Sequence, residues 1–358
     1  MRVLVKRKDF LNLLSGTSLI TIRETQIPML EHILLVVEKD ELKGTVSNLE
    51  QYLIKSCKVT TEGEGKICVR PGLLEKFLKL TKGEKATLAI HNNKLSVQVE
   101  NASLILEGLS SEDFPKIPQV EGKSIKVSGL LKALKGIAYA MAKSEFRPAL
   151  CGVCFSPCGN RIELAATDGS RLVVTTIEAD NELPYQFILP AKMVQIILKL
   201  KLDEVVIRTG KEASQTSYVA INKDEELTLI SFTIQAEYPN YKPFIVIPKE
   251  AMALKVKAEE LRKGLVITSS LLTSSRFKTV SLRVEEGLIL SSEYREMGRV
   301  SVKMDAEGII AALNFNEKYL KDVLDRVEGE IILYTTGSEK PLSISYQDFL
   351  HVLMPCRR

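Results

Sequence analysis

Three stretches of this chain repeat one pattern, and that repetition limits its fold more than any other feature. Residues 70–90 read RPGLLEKFLKLTKGEKATLAI, residues 189–209 read LPAKMVQIILKLKLDEVVIRT, and residues 314–336 read NFNEKYLKDVLDRVEGEIILYTT. Each is a short helix, a charged turn and a strand. The helical spacing is explicit. Met193, Ile196, Ile197 and Leu200 fall at i, i+3, i+4 and i+7, as do Leu320, Val323, Leu324 and Val327. Leu74, Phe77 and Leu78 give a shorter version. Pro71 and Pro190 stand near helix starts, where a missing N–H costs nothing. Pro71, Pro190 and Asn316 are separated by about a third of the 358 residues, so three copies fill the chain.

A second helix opens each third, over 8–14, 128–143 and 258–272. Each third closes on an aromatic or apolar residue followed by proline: Phe114-Pro115, Tyr238-Pro239 and Met354-Pro355. Strands are expected over 94–99, 162–166, 172–176 and 282–290. Asp168-Gly169 suits a tight hairpin that needs positive φ. The expected fold class is α+β. Three structurally similar domains, 1–120, 121–246 and 247–358, each combine strand-rich structure with two helices.

Apolar residues make up 45% and charged residues 26%, the mix of a folded soluble chain. The net charge of +4 is too small to mark a nucleic-acid binder by itself, so any such surface must come from charge placement. The helices supply it. Opposite their apolar stripes they carry Lys76, Lys79 and Lys82; Lys192, Lys199 and Lys201; Lys318, Lys321 and Arg326. The opening helices add Lys132, Lys135, Lys143, Arg262 and Lys263, with Arg276 and Lys278 beyond. If equivalent helices of three units face one side, these charges add into one positive concave surface. Such a surface holds duplex DNA by counterion release, without reading bases.

Catalytic motifs are missing. No phosphate-binding GxxxxGK[ST] loop, GxSxG elbow or HExxH pair occurs, and the expectation is that the chain is not an enzyme. No metal or cofactor is expected. Cys151, Cys154 and Cys158 cluster, but a strand over 150–155 would point Cys151 and Cys154 to opposite faces, and His32, His91 and His351 are scattered. The opening MRVLVKRKDF interrupts every apolar run with charge, and 33–37 is far too short to span a membrane, so a cytosolic protein is expected.

Several segments together resemble one family. Ala166-Thr167-Asp168-Gly169-Ser170-Arg171-Leu172 resembles the ATDGxRL segment in the middle domain of bacterial DNA polymerase sliding clamps. Asp113-Phe114-Pro115, Tyr238-Pro239-Asn240-Tyr241, Phe315-Asn316 with Tyr319-Leu320, and Met354-Pro355-Cys356-Arg357 resemble further family segments, in the same order over the whole chain.

The resemblance implies the DNA clamp fold, with two similar sheet-plus-helix subdomains per domain, and a head-to-tail homodimeric ring around duplex DNA. It implies an interface of Leu104 and Leu106 with the partner's equivalents of Leu271 and Leu272. It implies DNA contacts at Arg23, Arg147, Lys192, Arg276 and Lys278. It also implies a pocket for short peptides of the replicative polymerase, the clamp loader and repair proteins. That pocket comprises Leu150, Thr167, Gly169, Arg171, Leu172, Pro239, Phe244, Leu342, Val352, Met354, Pro355 and Arg357, with Arg171 and Arg357 fixing polar groups on the peptide.

The sequence departs from the family pattern at Leu73 and Pro243, where basic residues are usual, and at Cys356 and Arg358. Two rival readings are an open, monomeric DNA-binding scaffold of the same fold and an unrecognised nucleic-acid enzyme.

Overall fold

A computed structural model of the chain describes residues 1–22, 24–143, 146–211, 217–270, 278–294 and 298–356. The first third contains β1 (Arg2–Lys6), α1 (Arg7–Leu14), β2 (Ile33–Glu38), β3 (Glu41–Ser47), β4 (Gln51–Lys58), β5 (Thr60–Glu62), β6 (Gly65–Val69), α2 (Pro71–Leu80), β7 (Lys85–His91), β8 (Lys94–Val99) and β9 (Ala102–Glu107). The second contains β10 (Ile125–Ser128), α3 (Leu130–Ile137), β11 (Gly152–Cys158), β12 (Arg161–Thr167), β13 (Arg171–Ala179), β14 (Phe187–Pro190), α4 (Ala191–Leu200), β15 (Val205–Lys211), β16 (Ser217–Asn222) and β17 (Leu227–Phe232). The last contains β18 (Met252–Lys257), α5 (Ala258–Ser269), β19 (Thr279–Glu285), β20 (Gly287–Tyr294), β21 (Gly298–Met304), β22 (Ala306–Gly308), β23 (Leu313–Asn316), α6 (Glu317–Leu324), β24 (Glu330–Thr335), β25 (Leu342–Tyr346) and β26 (Phe349–Leu353).

One grammar runs through the list. A strand leads straight into a helix, and a three-strand antiparallel meander follows; among the described residues this happens six times. The leading strand of each half pairs with the first meander strand of the other half of its third. Thus β1 pairs with β7 and β6 with β2, β10 with β15 and β14 with β11, β18 with β24 and β23 with β19. The chain is therefore three structurally similar domains, each of two strand-and-helix halves that trade their first strands.

The junctions explain how helices start without side-chain caps. Arg7 N donates to Glu84 O, Ala191 N to Cys151 O, Ala258 N to Gly329 O and Glu317 N to Lys278 O, at 2.8–3.0 Å. Each carbonyl satisfies a first-turn amide that has no partner within its helix. Only α6 among α1, α2, α5 and α6 adds a side-chain cap, Asn316 Oδ1 accepting from Lys318 N.

Two compact units emerge from backbone proximity. One comprises Met1–Leu130 and Gln195–Thr233, the other Leu131–Val194 and Ile234–Arg358. In the first, a five-stranded sheet runs β5-β1-β7-β8-β9, leaving β9 at an edge. A second run, β6-β2-β3-β4-β17-β16-β15-β10, joins the first third to the middle third through β4–β17. In the other unit, β14-β11-β12-β13-β26-β25-β24-β18-β22 joins the middle third to the last through β13–β26. A four-stranded sheet, β21-β20-β19-β23, completes it. Every pairing named here is antiparallel.

The helices bury most of the stripes expected of them, with Phe77 and Leu200 half-buried. Leu320, Val323 and Leu324 of α6, and Val327 just beyond its end, have no exposed surface and pack with Leu261 and Leu265 of α5. Burying each such side chain contributes about 1.5–3 kcal/mol.

Two expectations need correction. The helix expected over 128–143 ends at Ile137 and passes into a 3-10 turn, Ala138–Ala140. There Tyr139 O accepts from Arg171 Nη2 at 2.7 Å, outside any helical ladder. The strand expected over 282–290 is a hairpin, because Gly287 at φ 111° reverses the chain between β19 and β20.

Candidate functional site

Beside the β13–β26 junction lies a cavity of about 420 Å³. Four short segments form its walls. The β12–β13 hairpin supplies Thr167, Gly169, Arg171 and Leu172, and a 3-10 turn, Pro148–Leu150, supplies Ala149 and Leu150. The segment after β17 supplies Glu237, Pro239, Asn240, Tyr241 and Phe244, while Val352 and Met354 close the C-terminal side. The lining is chiefly aliphatic and aromatic. Phe244 and Met354 stay 47% and 38% exposed, much more than a core position allows.

Local chemistry sets each wall. Gly169 takes φ 91° at the hairpin tip, and Asp168 Oδ1 accepts from Ser170 N and Arg171 N at 2.9 and 3.1 Å. Leu172 pairs with Val352, and Met354 N donates to Ser170 O at 2.9 Å, so the C-terminal segment follows the hairpin. The wall after β17 is pinned from behind. Tyr238 Oη donates to Ala165 O at 3.3 Å, and Tyr241 Oη donates to Glu163 Oε1 at 2.6 Å. Lys242 Nζ donates to the same carboxylate oxygen at 2.6 Å. Burial pushes both phenols up, so they remain neutral donors. Cys154 packs behind them, its thiol pushed up to about 11 by burial; it is an unreactive core thiol.

Arg171 lines the cavity with 6% of its side chain exposed, and its charge is spent internally. Its Nε donates to Asp168 Oδ2 at 3.0 Å, its Nη1 is ion-paired with Asp322 of α6, and its Nη2 donates to Tyr139 O. The guanidinium carbon lies 5.0 Å from the Tyr139 ring centre and 4.6 Å from that of Tyr319. Arg171, expected to fix polar groups on a ligand, ties the hairpin to α6 from its place in the lining.

Of the twelve residues expected in a pocket, nine line this cavity. Leu342 is fully buried in the core of the last third, where it pairs with Leu353, and does not reach the cavity. Pro355 is half-buried outside the lining, and Arg357 lies outside the described residues. Ala149, Glu237, Asn240 and Tyr241 also line it. Tyr241 and Asn240 stand in the quoted Tyr238-Pro239-Asn240-Tyr241 segment, which was a usable signal; Ala149 and Glu237 carry none.

Of the five positions expected to contact DNA, three lie among the described residues. Arg147 lines the cavity, and a Cβ on Gly169 would meet its Nη1 at 3.3 Å, so it lies over the hairpin tip. Lys192 is exposed on the first turn of α4, and Lys278 is half-buried. Arg23 and Arg276 lie outside the described residues. Of the expected helical lysines, those at 76, 79, 132, 135, 192, 199, 263, 318 and 321 are exposed. Two expected surface cations are structural instead. Arg262 donates to Leu324 O and to Val327 O, satisfying carbonyls at the end of α6. Arg326 stacks on Tyr139 at 3.9 Å.

Leu104 and Leu106 sit on the edge strand β9, half-buried and buried, while Ile105 between them is 65% exposed. Leu271 and Leu272 lie outside the described residues. Among the described residues, no three His, Cys, Asp or Glu side chains gather to hold a metal ion. No helix there is long and apolar enough to cross a membrane.

These features define a class: a chain of six strand-and-helix halves in three similar domains, with an apolar peptide-sized cavity at the β13–β26 junction. Residues 1–118 match the family of the DNA polymerase III beta subunit, N-terminal domain, and residues 124–240 match the family of its central domain. The chain belongs to the DNA polymerase III beta subunit family. It is 24% identical to the beta sliding clamp of Pseudomonas aeruginosa over 374 residues, covering all of both chains. The crystal structure of a Pseudomonas aeruginosa sliding clamp bound to griselimycin superposes with a TM-score of 0.89 at 22% identity, covering 100% of each chain. A sliding clamp from Bacillus subtilis gives 0.88 at 22% identity, covering 100% of this chain and 99% of that one.

Proposed function

We propose that the protein is a DNA sliding clamp: two copies joined head to tail encircle duplex DNA and tether the replicative polymerase and other proteins to it. Its domains are 1–120, 121–246 and 247–358. It carries out no covalent chemistry. A closed ring keeps a bound enzyme at high effective concentration near its template, which is a topological effect. The observation that carries the reading is the cavity beside β13–β26, in a chain whose halves repeat as the family requires. Its exposed Phe244 and adaptable Met354 suit hydrophobic side chains of a short peptide, and its backbone-anchored walls are formed before binding.

Ring closure is supported by β9, an edge strand with an exposed apolar residue, available to extend a sheet of another copy. DNA contact is supported by the exposed helical lysines, whose point charges favour phosphates without sequence preference. Clamp-loader and repair proteins are proposed as further users of the same cavity.

Fluorescence anisotropy with a labelled peptide bearing leucine and phenylalanine side chains tests the cavity. Met354→Ala is expected to weaken binding about 10-fold, as loss of one large apolar contact does. Unchanged affinity in Met354→Ala and Phe244→Ala together contradicts the assignment.

A further inference from the structure

We propose that Asp322, which lies outside the cavity, is a specificity-determining residue for it: by holding Arg171, it keeps the cavity wall from attracting acidic peptides. The inference rests on the peptide-binding reading above and adds the residue that sets the ligand's charge class.

A buried arginine in a binding wall ordinarily selects carboxylates, because its guanidinium forms paired hydrogen bonds with them. Here that capacity is already used. Arg171 faces Asp168 across the hairpin and Asp322 across to α6, and its remaining amino group meets Tyr139 O. Arg326 completes the group, stacked over the same Tyr139 ring and donating to the backbone carbonyl of Asp322. Arg171 is ion-paired with both carboxylates, and the charge of Arg326 brings the sum over the four groups to zero. Arg147 and Glu237 also line the cavity, one charge of each sign. Among the described residues, the charges of the lining and of this cluster, Arg147, Arg171 and Arg326 against Glu237, Asp168 and Asp322, sum to zero.

Asp168 and Asp322 differ in what else they do. Asp168 also builds the hairpin turn through two backbone amides. Asp322 sits on α6, with the ion pair to Arg171 as its side-chain contact to the hairpin. Replacing it with asparagine keeps the shape and removes one negative charge. The cluster then carries one positive charge beside the apolar lining, where low polarity strengthens its reach.

The test compares two labelled peptides, one with leucine and phenylalanine side chains separated by serines, the other with one serine replaced by aspartate. Both are titrated against the full-length protein at low salt. For Asp322→Asn, the affinity ratio of acidic to neutral peptide is expected to rise about 5- to 10-fold, and the gain to fade in high salt. Arg171→Gln leaves the cluster one charge negative and shifts the ratio the other way. The double variant is neutral again and returns to the ratio of the unaltered protein. A ratio unchanged in both single variants, with the two affinities moving together, overturns the inference and leaves Asp322 a structural residue. If the unaltered protein binds neither peptide at the cavity, with no effect of Met354→Ala, the peptide-binding reading itself has failed.

Discussion

His351 in β26 is buried, with Nδ1 2.9 Å from the Tyr139 hydroxyl, and Arg326 stacks on that same ring. Burial, reinforced by the Arg326 charge, pushes its pKa down to about 4. A histidine whose folded pKa is depressed must be neutral to stay folded. Its contribution is complete above the unfolded value near 6.5 and is lost as pH falls from there toward 4. The full difference is roughly 3 kcal/mol. Urea unfolding at pH 7.5 and pH 5 is therefore expected to show a loss of stability that His351→Gln reduces; an equal loss in both proteins refutes this. No sequence signal pointed to this histidine, because its environment comes from Tyr139 and Arg326, far apart in the chain. Arg171 teaches the same lesson. Its motif placed it correctly in the cavity wall, but the carboxylate that occupies it, Asp322, is 151 positions away. Motif reading finds residue positions; it does not find which long-range partners consume their charge.

At the scale of elements, the helices were legible because their stripes repeat at 3.6-residue spacing and Leu320, Val323, Leu324 and Val327 are all buried as the period requires. The trade of leading strands between halves was not legible, since antiparallel pairing leaves no mark on local periodicity. Nor was the close approach of α3 to β26. A Cβ on Gly136 would stand 2.2 Å from Phe349 Cε1. Gly136→Ala, which favours helix by propensity, is thus expected to destabilise the protein by about 1–3 kcal/mol through overpacking. A raised denaturation midpoint would contradict that close contact. Edge strand β9 makes a separate prediction. If the proposed head-to-tail dimer closes through β9, Ile105→Asp, which leaves the buried residues of its own sheet in place, is expected to shift sedimentation toward the 39.9 kDa monomer, weakening association by at least about 10-fold. Unaltered dimer sedimentation rules β9 out of the interface.

At the scale of the whole molecule, family membership and the sixfold grammar of strand, helix and meander point to one kind of work: holding on to DNA by topology. Positive charge is modest, and two of its expected contributors, Arg262 and Arg326, serve inside the fold. In the ring proposed above, retention on DNA would come chiefly from closure, with the helical lysines supplying weak, salt-sensitive contacts. The direct measurement is retention of the loaded protein on nicked circular DNA and on the same DNA cut once. The loaded protein is expected to stay on circles through a high-salt wash and to be lost from linear molecules, with blocked ends restoring retention. Equal loss from circles and lines, or retention on open linear ends, would contradict closure.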